Sequence, residues 1–152
     1  MSAIRGNFAP KIQIDTSELK DLARGLKAIN PIFYRKLNER LKEAGKLVAE
    51  EAKVNASWST KIPRTIHVSA SMSSVSVTAG GKRAPGARPL EHEGRQGNFR
   101  HPVFGHRNVW VDQPARPFII PALEKNRENV LELIKLAVNE TFDEITRNSH
   151  GL

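Results

Sequence analysis

The chain contains no cysteine. Disulfide staples, thiolate nucleophiles and cysteine-ligated zinc are therefore excluded. Aromatic residues are few, with one tyrosine, two tryptophans and six phenylalanines, so any stacking surface depends on a handful of rings. No apolar run approaches the about 20 residues that span a bilayer. The opening MSAIRGNFAPKIQID lacks the apolar core of a secretion signal, so a chain made in the cytoplasm, with no membrane partner, is expected. Catalytic signatures are missing as well: there is no GxSxG, no HExxH and no dinucleotide fingerprint. GKRAPGARP (81–89) has the glycines and a lysine but not the spacing of a phosphate-binding loop. No enzyme activity, catalytic residue, metal or cofactor is expected.

Acid is also scarce. Twenty-four lysines and arginines face sixteen acids, for a net charge of +8. Such an excess suits a polyanionic neighbour, whether nucleic acid, an acidic protein surface or anionic lipid, although a plain solvated surface can also be basic. At 152 residues the chain is expected to form a single domain with a real core.

Local patterning places most elements. KIQID (11–15) alternates like a short strand. Asp15 and Glu18 have capping-box spacing, and Leu19, Leu22, Leu26 and Ile29 then fall on one helical face. Asn30-Pro31 reads as an N-cap followed by the first residue of a second helix. That helix carries Phe33, Leu37, Leu41, Ala44, Val48 and Ala52 on its apolar side. Gly45, within it, marks either a kink or a close approach. Trp58, just beyond, reads as a cap contact onto the core. TIHVSASMSSVSVTAG predicts a hairpin over about 65–79 that turns near Met72–Ser74, its serines forming a lightly covered outer face. The stripe Leu123, Val130, Ile134, Ala137, Val138, Phe142 and Ile145 predicts a last helix of about 25 residues, entered near Pro121. Residues 1–10 and 147–152 are expected to be flexible ends. The fold class is α+β: a small antiparallel or mixed sheet packed against two long helices.

Residues 80–117 do not fit that pattern. They hold six of the ten glycines and five of the nine prolines, show no amphipathic period, and read as a long extended loop with one short strand at NVWV (108–111). A structureless stretch of this length is uncommon inside a small domain, and points to function or to ordering by a partner. His92, His101 and His106, near Glu91, Glu93 and Asp112, are residue types for metal or acid–base work, but their spacing matches no such site. Lys82, Arg83, Arg88, Arg95, Arg100, Arg107 and Arg116 interleave with Phe99, Phe104 and Trp110. That mixture suits phosphates and stacked bases. It equally suits an arm anchored in a protein partner.

The order of the pieces narrows the choice. ARPLEHEG followed by QPARPFIIPALEKNRENVLELI resembles the gene-product-ten-like tail components of long-tailed siphophages, also described as neck or tail-completion proteins. Ala87, Leu90, Glu91 and Gly94 match the first motif. Pro114, Arg116, Pro117, Phe118, Pro121, Ala122 and Leu123 match the second. HPVFGHRNVWVDQPARPF is similar to the loop of the actinobacterial-phage branch. The resemblance covers roughly residues 35–145 and rests on short motifs in order. RPLEHEGRQG departs from it, placing His92 where many relatives carry an aromatic residue.

The resemblance implies a structural virion protein at the head–tail junction, assembled in the host cytoplasm. It implies a homo-oligomeric ring, expected to hold six copies, which meets other neck, connector and tail proteins and through which DNA passes. Arg95, Phe99, Arg100, His101, Phe104, His106, Arg107 and Trp110 would then belong to an assembly arm. Phe118, Ile119 and Ile120 would plug the core where the last helix begins, and Lys82, Arg83 and Arg88 would be the candidates for touching DNA. The competing expectation is a basic nucleic-acid-binding module that uses residues 82–116 directly.

Overall fold

Among the described residues thirteen segments of regular backbone, nine of them longer than one 3-10 turn, follow one another. A computed structural model describes residues 10–71, 74–103 and 105–150, with Ser149 and His150 described in their backbone alone. The longer elements are β1 (Lys11–Asp15), α1 (Lys20–Ile29), α2 (Pro31–Asn55), β2 (His67–Ala70), β3 (Ser74–Thr78), α3 (Ala87–Glu91), β4 (Asn98–Val103), β5 (His106–Pro114) and α4 (Ile119–His150). Single 3-10 turns sit at Ser17–Leu19, Pro63–Thr65, Gly81–Arg83 and His92–Gly94. The architecture is α+β, and both sheets are antiparallel. Among the described residues no helix is long and apolar enough to cross a membrane.

The body is built on α2 and α4, which run antiparallel. Asn55, at the end of α2, donates to the Phe118 carbonyl at the start of α4, 3.1 Å away. Lys125 Nζ reaches Glu51 Oε1 at 2.7 Å, and Arg40 reaches Glu140 and Glu144 at the far end. Leu37, Leu41, Ala44, Val48 and Ala52 form the buried stripe of α2. Ile119, Ala122, Val130 and Ala137 of α4, with Phe118 just before it, are the buried apolar residues on the facing side. Asn30 caps α2 as its sequence suggests, its side chain accepting from the Ile32 N–H at 3.0 Å.

Three strands cover this helix pair in the order β1-β3-β2. Ile12 and Ile14 stand opposite Val77 and Val75, and Val68 and Ala70 stand opposite the same two valines from the other side. One pleat face is thus apolar and meets the helices. Gly45 makes the meeting possible. A Cβ there would stand 2.5 Å from a Val68 methyl and 2.8 Å from a Val75 methyl. It is a close approach within a helix that continues from Pro31 to Asn55.

Several expectations change. Ile29 lies 86% exposed rather than on the core face of α1, because the helix ends there and the chain turns at Asn30. Ser74 and Ser76 are buried, since β3 is the central strand and its neighbours shield even small outward side chains. Met72 and Ser73, at the expected turn, lie outside the described residues. Pro10 is buried and its carbonyl accepts from Ala79 N–H at 3.0 Å, so the expected N-terminal arm stops short of it; residues 1–9 lie outside the description. α4 extends to His150, through most of the expected flexible tail, and spans 32 residues. Phe142, expected in its core stripe, is half exposed. Trp58 is not sealed into the core; the Arg116 guanidinium lies over its ring, 4.9 Å from the centroid.

The stretch 80–117 is extended over much of its length, but as a paired hairpin with short helices before it. β4 and β5 pair from Asn98↔Pro114 to Val103↔His106, with an irregularity between Pro102 and Val103. The predicted four-residue strand at 108–111 is the middle of a nine-residue strand.

Candidate functional site

α4 has a problem at its start. The first turn of any helix presents N–H groups without intrahelical acceptors, and PARPF offers no Ser, Thr, Asp or Asn to cap them. The acceptor arrives from elsewhere in the chain. Glu91, at the end of α3 and only 4% exposed, accepts through Oε2 from the N–H groups of Phe118 (2.6 Å) and Ile119 (3.0 Å). Its Oε1 accepts from Ile120 N–H at 2.8 Å. A carboxylate at this end of a helix also meets the positive pole of the macrodipole. Glu91, one of the residues with acid–base or metal-ligating chemistry, is thus committed to the backbone.

The residues after Glu91 are shaped for the same contact. His92 and Glu93 both take left-handed conformations, with φ of 49° and 55°, and Gly94 follows with φ of 78°. A Cβ on Gly94 would lie 2.7–3.0 Å from three carbons of Ile120, so the glycine admits that side chain. Leu90 O accepts from Arg116 N–H and Gly97 O from Ala115 N–H, both at 2.7 Å. The two short motifs EHEG and PARPFII therefore meet as one junction. Phe118 and Ile119 are completely buried in it, and Ile120 is partly covered. The sequence did carry a signal for Glu91: a helix entry with no local cap needs a distant one.

From this junction β4 and β5 project as an arm. None of its described residues is buried. Val109, Trp110 and Val111 are 47%, 51% and 38% exposed, and Arg107 and His106 are exposed beside them. The Arg100 guanidinium lies 5.8 Å from the Trp110 ring centroid. Phe99 sits between the rings of His92, at 6.3 Å, and His101, at 5.8 Å. Arg95 pairs with Glu93 at 2.7 Å. Near the tip, a hollow of about 640 Å³ is lined by His101, Pro102, Val103, Gly105 and Arg107. Phe104 lies outside the described residues.

The expected site residues thus separate into groups. Arg100, His101, His106, Arg107 and Trp110 share the arm, while Phe99 and Arg95 stand at its root. Arg88 joins Arg95, His92 and Glu93 around a shallow hollow of about 240 Å³; Lys82 and Arg83 are exposed on the preceding 3-10 turn and do not line it. Among the described residues no three His, Asp or Glu side chains gather as a metal would require.

Comparison with models of known families, with curated proteins and with solved structures finds no match.

Proposed function

We propose that this chain is a structural subunit of a tailed-phage virion, assembling with further copies into a ring at the head–tail junction through which DNA passes. The observation that carries this reading is the arm. A two-stranded sheet is marginal by itself in water, and this one exposes a tryptophan and two valines in a row. Tryptophan is a typical anchor in the centre of a protein interface, and the valines add apolar area beside it. The junction at Glu91 holds the arm's root against the body, so the arm is aimed while its tip remains uncovered. The resemblance supplies the setting, and its two motifs are the two halves of that junction.

Purified protein, alone or with tail and connector proteins, should form or join rings, read by sedimentation and electron microscopy. Replacing Arg95, Arg100 and Arg107 by alanine should block joining of heads to tails. A chain that stays monomeric and is absent from virions ends the reading. The second reading, direct nucleic-acid binding, draws on the Arg88–Arg95 hollow. It predicts that the same alanine variant chiefly loses DNA affinity, with a shallower salt dependence from the missing phosphate contacts.

A further inference from the structure

The direction of the arm is decided at its root. β4 and β5 pack on each other and on no other element to a comparable extent, so no helix or sheet face holds the hairpin at an angle to the body. Backbone ties its two ends: Leu90 O accepts from Arg116 N–H and Gly97 O from Ala115 N–H, both at 2.7 Å. Ties so close to the base fix where the hairpin leaves but oppose its tilting only weakly, as a hinge pin does. The arm's length magnifies any tilt. A strand of nine residues extends about 30 Å, so a tilt of about 20° carries the tip about 10 Å. Holding the angle requires a contact beyond the pin.

One side chain from the junction supplies it. The His92 ring stands 6.3 Å from the Phe99 ring, centroid to centroid, and Phe99 stands 5.8 Å from His101, both within the range of interacting rings. Phe99 and His101 alternate onto one face of β4. Three rings thus form a row that starts on the body side of the ties and climbs the arm. His92 and Phe99 are each partly buried by the contact.

The backbone at His92 is unfavourable for a side chain. Glu91 is still right-handed, with φ of −63°, and His92, Glu93 and Gly94 then turn left-handed in succession. L-residues visit that region singly rather than in runs. Histidine tolerates it better than most, but glycine fits it without steric cost, and the chain uses glycine at Gly94. At His92 it keeps a ring, and that ring is the one against Phe99. Glu93, left-handed too, reaches only Arg95 through an ion pair in which both side chains are mostly exposed, a contact of little strength.

We infer that His92 is a positioning residue for the arm: its imidazole, carried on a left-handed turn, braces Phe99 and sets the angle at which β4 and β5 leave the body. The inference rests on the assembly reading for the arm's purpose alone. The angle itself is measurable in a lone subunit, so the two can fail separately.

The chain has no cysteine, so spin labels can be placed cleanly. Arg107→Cys near the tip and Glu128→Cys on α4, both at exposed positions, report the arm-to-body distance by pulsed electron spin resonance. Labelled chains are diluted into an excess of unlabelled protein, so that only distances within one subunit are read. The parent should give one narrow distribution. His92→Gly should keep its helix content and melting temperature yet broaden the distribution by about 10 Å, the sweep of that tilt. His92→Phe, which keeps a ring, should remain narrow. Glu93→Gly, which relieves the neighbouring left-handed residue without removing the ring, should remain narrow as well. A merely structural His92 predicts the reverse for His92→Gly, a lower melting temperature with an unchanged distribution, and that result overturns the inference. A broad parent overturns it too, as does a Glu93→Gly or His92→Phe chain as broad as His92→Gly. Should His92→Gly lose its fold, Phe99→Ala breaks the same contact from the arm side. Broadening there supports the brace, and a distribution as narrow as the parent's refutes it.

Discussion

The two sheets use similar lengths of extended chain and reach opposite outcomes. In the three-stranded sheet, Val75 and Val77 of the central strand are fully buried, and Ser74 and Ser76 beside them are nearly so. Along β5 not one residue is buried. Both sheets satisfy their paired backbone groups, but only the first has helices to bury an apolar face against. Hydrogen-bonded pairing fixes the path of a strand, whereas burial of apolar area supplies most of the stability. The body is therefore closed upon itself, and the arm is complete only in its backbone.

That contrast is broken most severely at the junction. Glu91→Ala should remove the three hydrogen bonds accepted from the Phe118, Ile119 and Ile120 N–H groups and cost about 3 kcal/mol of unfolding free energy, measured by urea denaturation. Glu91→Gln, which keeps one carbonyl oxygen, should cost about half as much. Within the body, Gly45→Val should drive methyls into Val68 and Val75 and cost about 2 kcal/mol, read as a lower melting temperature. An unchanged melting temperature would mean that the hairpin can shift off α2.

A smaller effect is expected at the far end of the helix pair. The Arg40 guanidinium bonded to Glu144, together with Lys36, holds the Glu144 carboxyl below its ordinary value of 4.5 despite the opposing effect of burial. The unfolded chain therefore binds this proton at higher pH than the folded one. The stabilisation is complete above about pH 5 and is lost as pH falls through the lowered folded value. Glu144→Gln should cost about 1 kcal/mol at neutral pH, with the difference from the parent shrinking on acidification. The smallest change belongs to the arm. Trp110→Ser should alter the stability of the isolated subunit by less than about 0.5 kcal/mol, and amide exchange in β5 should be much faster than in β3. A large destabilisation there would show that the arm is part of the body after all.

The same contrast explains what could be read in the sequence. β1, β2 and β3, α1 and α2 each bury a face, so each carries a period, and Asn30-Pro31 announces its own helix start. The arm has no period because it has no buried face. In HRNVWVDQP, Arg107, Val109 and Val111 alternate with Asn108, Trp110 and Asp112, and apolar side chains appear on both sides. β4 is further disguised by Pro102, which sits beside the irregularity in the pairing. Glu91 was legible as a chemical type but not in its role, since its partners lie 27 to 29 residues away. The Arg116–Trp58 stack joins still more distant residues and left no local pattern.

The hydrogen bond between Gly97 and Ala115 has a consequence for lineage rather than for energy. It brings the two ends of the arm side by side before the hairpin leaves the body. Anything between those ends can be shortened, lengthened or exchanged without re-routing the chain at either side. Meeting a new partner at this position would require rewriting only residues 98–114. The helices, the three-stranded sheet and the Glu91 junction could descend unchanged while the cassette they carry diverges beyond recognition.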